Sequence, residues 1–186
     1  MPGEGGRGNL SFMDLSRWTA TALRQIHQEL QGDAHWESKL WYDNGSWSVH
    51  LAVLVEPFMS YVLDGKKTIE SRFGTRQVAP FRRTEVGDVL LLKEASGPVT
   101  GICEVTEGWF FDLAVVPIAQ VRGQFAQAIC ADGDEFWRLR EAASYATLLR
   151  LGAVRGLSGL ACPKRDRRGW VVLRDRYEQL ALPCPP

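Results

Sequence analysis

The chain has 186 residues, of which 45% are hydrophobic and 24% charged, and its 22 basic side chains balance its 22 acidic ones. This composition is ordinary for a soluble globular protein with one domain, or one domain and an appendage, and a monomer is favoured. No apolar run approaches the roughly 20 residues that span a bilayer, and the N-terminus lacks a secretory signal, so we expect no membrane partner and a cytoplasmic location. Cysteines and histidines never fall at metal-ligand spacing, so no metal or other cofactor is expected.

The N-terminal part is predicted to lie outside the main domain. Residues 1–10 are glycine-rich and predict a mobile tail, and residues 11–48 predict a helical and aromatic extension. Apolar side chains recur at helical spacing over 11–31, where a glycine ends the pattern. The aromatic residues that follow could stack on bases, but packing of the extension onto the main body is the favoured interpretation. These residues are Trp36, Trp41, Tyr42 and Trp47.

The main domain is predicted over 49–176, followed by a C-terminal tail over 177–186. A further helix is predicted from Asp134 to the glycine at 152, because apolar residues recur there at helical spacing. Together with the other elements this predicts an α+β fold, in which helices and the N-terminal extension surround a small β-barrel. Those other elements are strand-like runs at 50–55, 69–73, 89–93, 99–111 and 169–173, and helical patterns at 58–63 and 117–129.

The most informative stretch is 65–72, Gly-Lys-Lys-Thr-Ile-Glu-Ser-Arg, at the junction of a short helix and a strand. Strand alternation places Glu70 and Arg72 on one face, with Lys67 at the junction. Ionisable groups this close together can shift each other's pKa values and hold an anionic or polar ligand. The alternative is a solvated turn with a surface ion pair, worth about 0–1 kcal/mol.

Positive charge is concentrated in two segments. Residues 66–83 carry six basic side chains against one acidic, and residues 164–176 carry six against two. Because the net charge of the whole chain is zero, the remainder is acidic. The two segments predict a localised anion-facing surface if they meet, or two solvated loops if they lie on opposite sides.

Residues 63–72 resemble the central motif of the ASCH domain, a relative of the PUA domain. That motif has a glycine, a lysine, an acidic or hydroxyl residue and an arginine at the positions of Gly65, Lys67, Glu70 and Arg72. The likeness extends over about 50–173. It implies a PUA-like β-barrel with a cleft between barrel and helices, in a superfamily whose members bind RNA or recognise a single nucleobase. Some ASCH proteins cut RNA or hydrolyse the amide of an acylated cytidine.

The resemblance also implies site residues. Lys67 and Glu104 match the catalytic lysine and glutamate of the amidohydrolase members, and Tyr61 matches a tyrosine of the RNA-cutting members. Glu70 stands where the amidohydrolases carry a threonine nucleophile, and a carboxylate cannot simply replace that hydroxyl in acyl transfer. Residues expected to bind the RNA or nucleoside ligand are Gly65, Lys66, Arg72, Arg82, Arg83, Arg165, Arg167, Arg168 and Trp170.

Three functions therefore stay open. The first is a hydrolase acting on RNA or nucleoside amides, with Lys67, Glu70, Glu104 and Tyr61 as its catalytic residues. The second is a non-catalytic reader of single-stranded RNA or a modified base. The third is a structural interaction module, in which Glu70 and Arg72 merely hold the barrel to the short helix. We expect Lys67, Glu70, Arg72 and Glu104 to line one hollow, where their ionisation is coupled.

Overall fold

The computed structural model describes residues 12–42, 45–164 and 166–177, with side chains from residue 15 onward. The predicted tail at 1–10, Arg165 and almost all of the predicted tail at 177–186 lie outside the described residues. No helix in the described ranges is long and apolar enough to cross a membrane.

The fold is α+β, as the sequence predicts, and its centre is a curled six-stranded half-barrel sheet in the order β2-β5-β4-β3-β1-β6. β1 and β3 pair in parallel, and the other neighbouring strands pair antiparallel. The strands are β1 Val49–Leu54, β2 Ile69–Gly74, β3 Val89–Glu94, β4 Val99–Asp112, β5 Tyr145–Leu160 and β6 Trp170–Arg174. The helices are α1 Phe12–Glu29, α2 Ala34–Trp41, α3 Phe58–Leu63, α4 Ile118–Ile129 and α5 Asp134–Arg138.

Helices cover both faces of the sheet. α1 and α2 pack on one face, where Trp36 and Trp47 are buried among side chains of β1, β3 and β4. Trp41 and Tyr42 are 69% and 74% exposed, so only some of the aromatic residues of the N-terminal extension pack onto the main body. α3 and α4 contribute to two further apolar clusters with side chains of β2 and the central strands.

The helix predicted from Asp134 to residue 152 is wrong beyond its first turns. α5 ends at Arg138, and residues 145–160 form β5, which lies between β2 and β4 inside the sheet. Ala146 to Leu149 are all buried, because both faces of β5 are covered. A short continuous apolar run of this kind fits a buried strand and a buried helix equally well, and here strand pairing decides.

α2 was absent from the sequence prediction. It begins after Asp33, whose side-chain oxygen accepts hydrogen bonds from the backbone N–H groups of His35 and Trp36 at 3.1 Å each. An aspartate that caps in this way satisfies two of the free N–H groups at a helix start.

Candidate functional site

The 65–72 motif forms the turn between α3 and β2. α3 ends at Leu63, and Gly65 then adopts a left-handed conformation with φ of 72°, which glycine reaches without steric cost. The backbone N–H of Lys67 donates to the carbonyl of Tyr61 at 2.9 Å, which closes the turn. The Lys67 side chain is only 3% exposed, so this turn directs it inward.

Lys67, Glu70 and Arg72 form a chain of charges along the inner side of this turn. Lys67 Nζ lies 3.4 Å from Glu70 Oε2, and Arg72 Nε lies 2.8 Å from Glu70 Oε1. The Glu70 side chain is 6% exposed, so the alternative of a solvated surface pair does not hold. Burial lowers the pKa of Lys67 below its ordinary value, and the neighbouring Glu70 carboxylate opposes that shift.

Lys67 also caps a helix. Its Nζ donates to the carbonyls of Ile69 at 2.8 Å and Ile129 at 3.2 Å, and Ile129 is the last residue of α4. A cation at a helix C-terminus satisfies free carbonyls and interacts favourably with the helix dipole. Glu70 is a third neighbour of the ammonium, and the Phe58 ring centroid lies 5.3 Å away.

Arg72 brings the two basic segments together. Its Nη2 donates to the carbonyl of Val53 at 2.8 Å, and its guanidinium lies 5.4 Å from the ring centroid of Trp170. A Cβ built on Gly169 would lie 2.8 Å from Arg72 Nη1, so the 164–176 segment approaches this arginine closely. The two segments therefore approach each other around Arg72, which settles an alternative that the sequence left open.

A cavity of about 500 Å³ opens beside the charge chain. The Phe136 ring stands edge-on to the rings of Phe58 and Phe73, with centroids 6.2 and 6.1 Å away. The guanidinium of Arg140 lies 3.4 Å from the Phe136 centroid, and burial lowers its pKa. The cavity is lined by Val53, Leu54, Val55, Phe58, Lys67, Glu70, Ser71, Arg72, Phe73, Phe136, Leu139 and Arg140.

This lining sets the chemistry of the cavity. Lys67, Arg72 and Arg140 supply three cations against the single carboxylate of Glu70, beside an aromatic wall. Arginine side chains near aromatic rings favour planar ligands and anionic groups such as phosphate. In the described part of the chain, no three His, Cys, Asp or Glu side chains come together where they could hold a metal ion.

Glu104 does not join this cluster. Successive residues of β4 point to opposite faces of the sheet, so Cys103 packs in the core beside α3 and Glu104 points the other way. There Glu104 Oε1 lies 2.8 Å from Lys39 Nζ and Oε2 lies 2.9 Å from His35 Nε2, both on α2. The expectation that four charged residues line one hollow is therefore wrong for Glu104, because α2 binds its carboxylate on the opposite face.

Tyr61 and Lys66 lie next to the cavity but do not line it. The Tyr61 ring stands edge-on to Phe58 with centroids 6.4 Å apart, and Lys66 Nζ lies 5.8 Å from the Tyr61 centroid. Lys66 is exposed and pairs with Asp64 at 3.1 Å. Tyr61 and Lys66 therefore lie near the rim of the cavity and do not form its wall.

The remaining basic residues are spread over the surface. Arg83 pairs with Asp175 at 2.9 Å, and Arg168 pairs with Asp166 at 2.8 Å. Both arginines are exposed, and the two pairs hold the basic loops locally. Arg82 and Arg167 are exposed, and the Arg82 guanidinium lies 5.6 Å from the Phe81 ring centroid. Trp170 is buried and, together with Arg72, lines a second hollow of about 190 Å³.

Sequence reasoning missed Arg140 and the wall formed by the rings of Phe58, Phe73 and Phe136, which we call the phenylalanine wall. Arg140 fell inside the predicted 134–152 helix and was not singled out there. Its real place, two residues after α5, depends on the strand that replaces the rest of that helix. The Phe73–Phe136 contact joins residues 63 positions apart and has no local sequence signal.

Replacing Glu104 by glutamine tests its placement. The change removes a charge that Lys39 and His35 share, so we expect a loss of about 1 kcal/mol in unfolding free energy. Binding at the cavity is expected to stay within twofold, because Glu104 lies across the sheet. Urea unfolding and ligand titration check the two outcomes, and a large loss of binding with normal stability would contradict the placement.

Replacing Gly169 by alanine tests the close approach to Arg72. The new methyl group would displace Arg72 Nη1, whose guanidinium is held by Val53 and Glu70, so we expect a stability loss of about 1–3 kcal/mol. Ligand affinity is expected to fall about tenfold, because the guanidinium must leave its position in the cavity. Gly133→Ala is the matched control, since a Cβ there meets nothing within 4 Å.

Comparison with known proteins identifies the fold. No family model matches the chain, and no curated protein matches it in sequence. The structure is similar to the crystal structure of ASCH from Zymomonas mobilis, with a TM-score of 0.55 and 13% identity, over 72% of this chain and 93% of that one. Two mutants of that protein also match, each with a TM-score of 0.53 and 14% identity. The match to the tyrosine-to-phenylalanine mutant covers 72% of this chain and 95% of the mutant chain. The match to the serine-to-alanine mutant covers 73% of this chain and 94% of the mutant chain. The chain therefore has the PUA-like fold of the ASCH domain.

Proposed function

We propose that the cavity beside Lys67, Glu70 and Arg72 binds one nucleotide, either free or within single-stranded RNA, and does not hydrolyse it. The observation that carries this proposal is the combination of an aromatic wall with three cations and one carboxylate in a cavity of about 500 Å³. This size lies within the range of about 300–1,000 Å³ that is usual for sites of small organic ligands.

The base would lie against the phenylalanine wall. Stacking of a base on an aromatic side chain is worth about 1–3 kcal/mol, and it needs only one open ring face. A carboxylate has about four acceptor positions, and the ion pairs of Glu70 with Lys67 and Arg72 leave some of them for a ligand. The remaining positions can accept a hydrogen bond from an exocyclic amino group, which favours cytosine over uracil.

The phosphate would lie between the two arginines. Arg72 uses Nη2 for Val53, and Arg140 uses Nη1 for the carbonyl of Phe136, so each guanidinium keeps further N–H groups for a ligand. Charge-assisted bonds from arginine to phosphate are about twice as strong as neutral hydrogen bonds. The surplus of positive charge in the cavity would also draw an anionic ligand toward it.

Three placements support binding over hydrolysis. The Lys67 ammonium already donates to two carbonyls and faces Glu70, so it would have to leave these partners to act on a substrate. Glu104 lies on the opposite face, and Tyr61 lies outside the cavity lining. The catalytic set that the family resemblance implies is thus not brought together beside the cavity.

The test is binding of fluorescein-labelled 12-mers of cytidine and uridine, measured by anisotropy at several salt concentrations. We expect tighter binding of the cytidine strand and a log–log salt slope of about −0.7, since the site holds one phosphate and each phosphate contact on a single strand contributes about −0.7. Absence of binding, or an affinity that salt does not change, would contradict nucleotide binding. Shortened RNA on a gel after incubation would instead support the hydrolase.

A further inference from the structure

A buried pair of polar side chains lies behind the candidate site. His50, on β1, and Asp88, just before β3, are both almost completely buried, and His50 Nε2 lies 3.2 Å from Asp88 Oδ2. The other ring nitrogen, Nδ1, lies 3.3 Å from the indole Nε1 of Trp170. None of these three residues lines the cavity of the candidate site.

The indole of Trp170 determines which ring nitrogen of His50 carries the hydrogen. The Trp170 Nε1–H group can only donate, so His50 Nδ1 must accept and His50 Nε2 must carry the hydrogen that faces Asp88. Asp88 is held in turn by the backbone N–H groups of Ser48 at 2.6 Å and Glu85 at 2.8 Å. The Arg176 guanidinium donates to the same carboxylate. Because Asp88 is held by these three donors, it fixes the His50 ring from the Nε2 side.

This arrangement extends to the candidate site through Trp170. Trp170 is 7% exposed, so its indole N–H would be buried without a partner if His50 did not accept from it. The hydrogen bond therefore selects one orientation of the ring. The guanidinium of Arg72 lies over the face of the Trp170 ring, and Arg72 also lines the cavity.

We propose that His50, held by Asp88, is a positioning residue for the nucleotide site. Its hydrogen bond fixes the indole plane of Trp170 on which Arg72 rests, and so fixes the guanidinium that receives the phosphate. This inference depends on the proposed nucleotide binding. The inference adds to the proposed function that residues outside the cavity set the affinity for the nucleotide.

A pair of conservative variants separates the two contacts of His50. In His50→Gln the side-chain amide can still donate to Asp88, but no acceptor remains for the indole. In His50→Asn the side-chain oxygen takes the position of Nδ1 and keeps the indole bond, while the contact with Asp88 is lost. The two measurements are the ¹H–¹⁵N signal of the Trp170 indole, assigned with Trp170→Phe, and the affinity for the cytidine 12-mer.

We expect His50→Gln to shift the indole signal upfield and weaken binding about tenfold, whereas His50→Asn, which keeps the indole acceptor but loses the contact with Asp88, is expected to give a smaller change in both readouts. Trp170→Phe keeps a ring but removes the donor, so it is expected to weaken binding similarly, and adding His50→Gln to it should weaken binding no further. The Trp170→Phe arm keeps the test valid if His50→Gln does not fold.

The possible failures are distinguishable. If the wild-type protein does not bind the 12-mer, the proposed function fails and this inference fails with it. If the wild type binds and either His50→Gln or Trp170→Phe binds equally well, only the positioning role is overturned. An unchanged indole signal in a folded His50→Gln variant would show that the hydrogen bond does not exist, which also overturns it.

Discussion

Replacing Glu70 by glutamine is expected to lower the free energy of unfolding by about 3 kcal/mol, because removal of one partner from a buried ion pair leaves the other charge uncompensated. The Glu70 carboxylate faces both Lys67 and Arg72, and Lys67 is as buried as Glu70 itself. Glutamine has the same shape as glutamate, so the change removes charge without opening a cavity. Urea unfolding followed by circular dichroism measures the difference.

The matched control is Glu107→Gln. Glu107 also pairs with an arginine, Arg150, but both side chains are about half exposed, so the expected loss is about 0–1 kcal/mol. Equal effects of Glu70→Gln and Glu107→Gln would show that the charge chain is solvated and would contradict the buried site.

Replacing Arg72 by alanine is expected to weaken binding of the cytidine 12-mer about 100-fold, because hydrogen bonds to charged groups are worth about 1.5–3 kcal/mol and the guanidinium can form two of them with one phosphate. Lysine at this position should recover only part of the affinity, since an ammonium cannot bind bidentately. Fluorescence anisotropy at one fixed salt concentration measures all three proteins.

Arg83→Ala is the control for Arg72→Ala. Both changes remove one positive charge from the same basic segment, but Arg83 pairs with Asp175 away from the cavity. Binding by Arg83→Ala is expected to stay within about twofold of wild type. If the two variants weaken binding equally, the ligand responds to the general charge of the surface, and the cavity has no special role.

The charge chain could be predicted because its geometry is local. Glu70 and Arg72 are two residues apart on one strand, so they share a face whatever the rest of the fold does, and Gly65 marks the turn that brings Lys67 alongside. The resemblance to ASCH domains supplied the barrel. Those parts of the site therefore needed no knowledge of long-range contacts.

The parts that failed depend on long-range packing. Glu104 lies on the face that α2 covers, and nothing local to β4 indicates which neighbour will contact that face. Arg140 enters the cavity only because residues after α5 become β5, where pairing with β2 and β4 overrides the helical spacing of the apolar residues. The cap that Lys67 places on α4 likewise joins residues 62 positions apart.

The most direct test of nucleotide binding is NMR titration of isotope-labelled protein with cytidine 5′-monophosphate. We expect the largest shifts at the guanidinium N–H groups of Arg72 and Arg140 and at the ring signals of Phe58, Phe73 and Phe136. Signals of Arg82 and Arg167, which are exposed and outside the cavity, should barely move. Shifts confined to such surface arginines, with the cavity signals unchanged, would show that the nucleotide binds elsewhere and would contradict the proposed site.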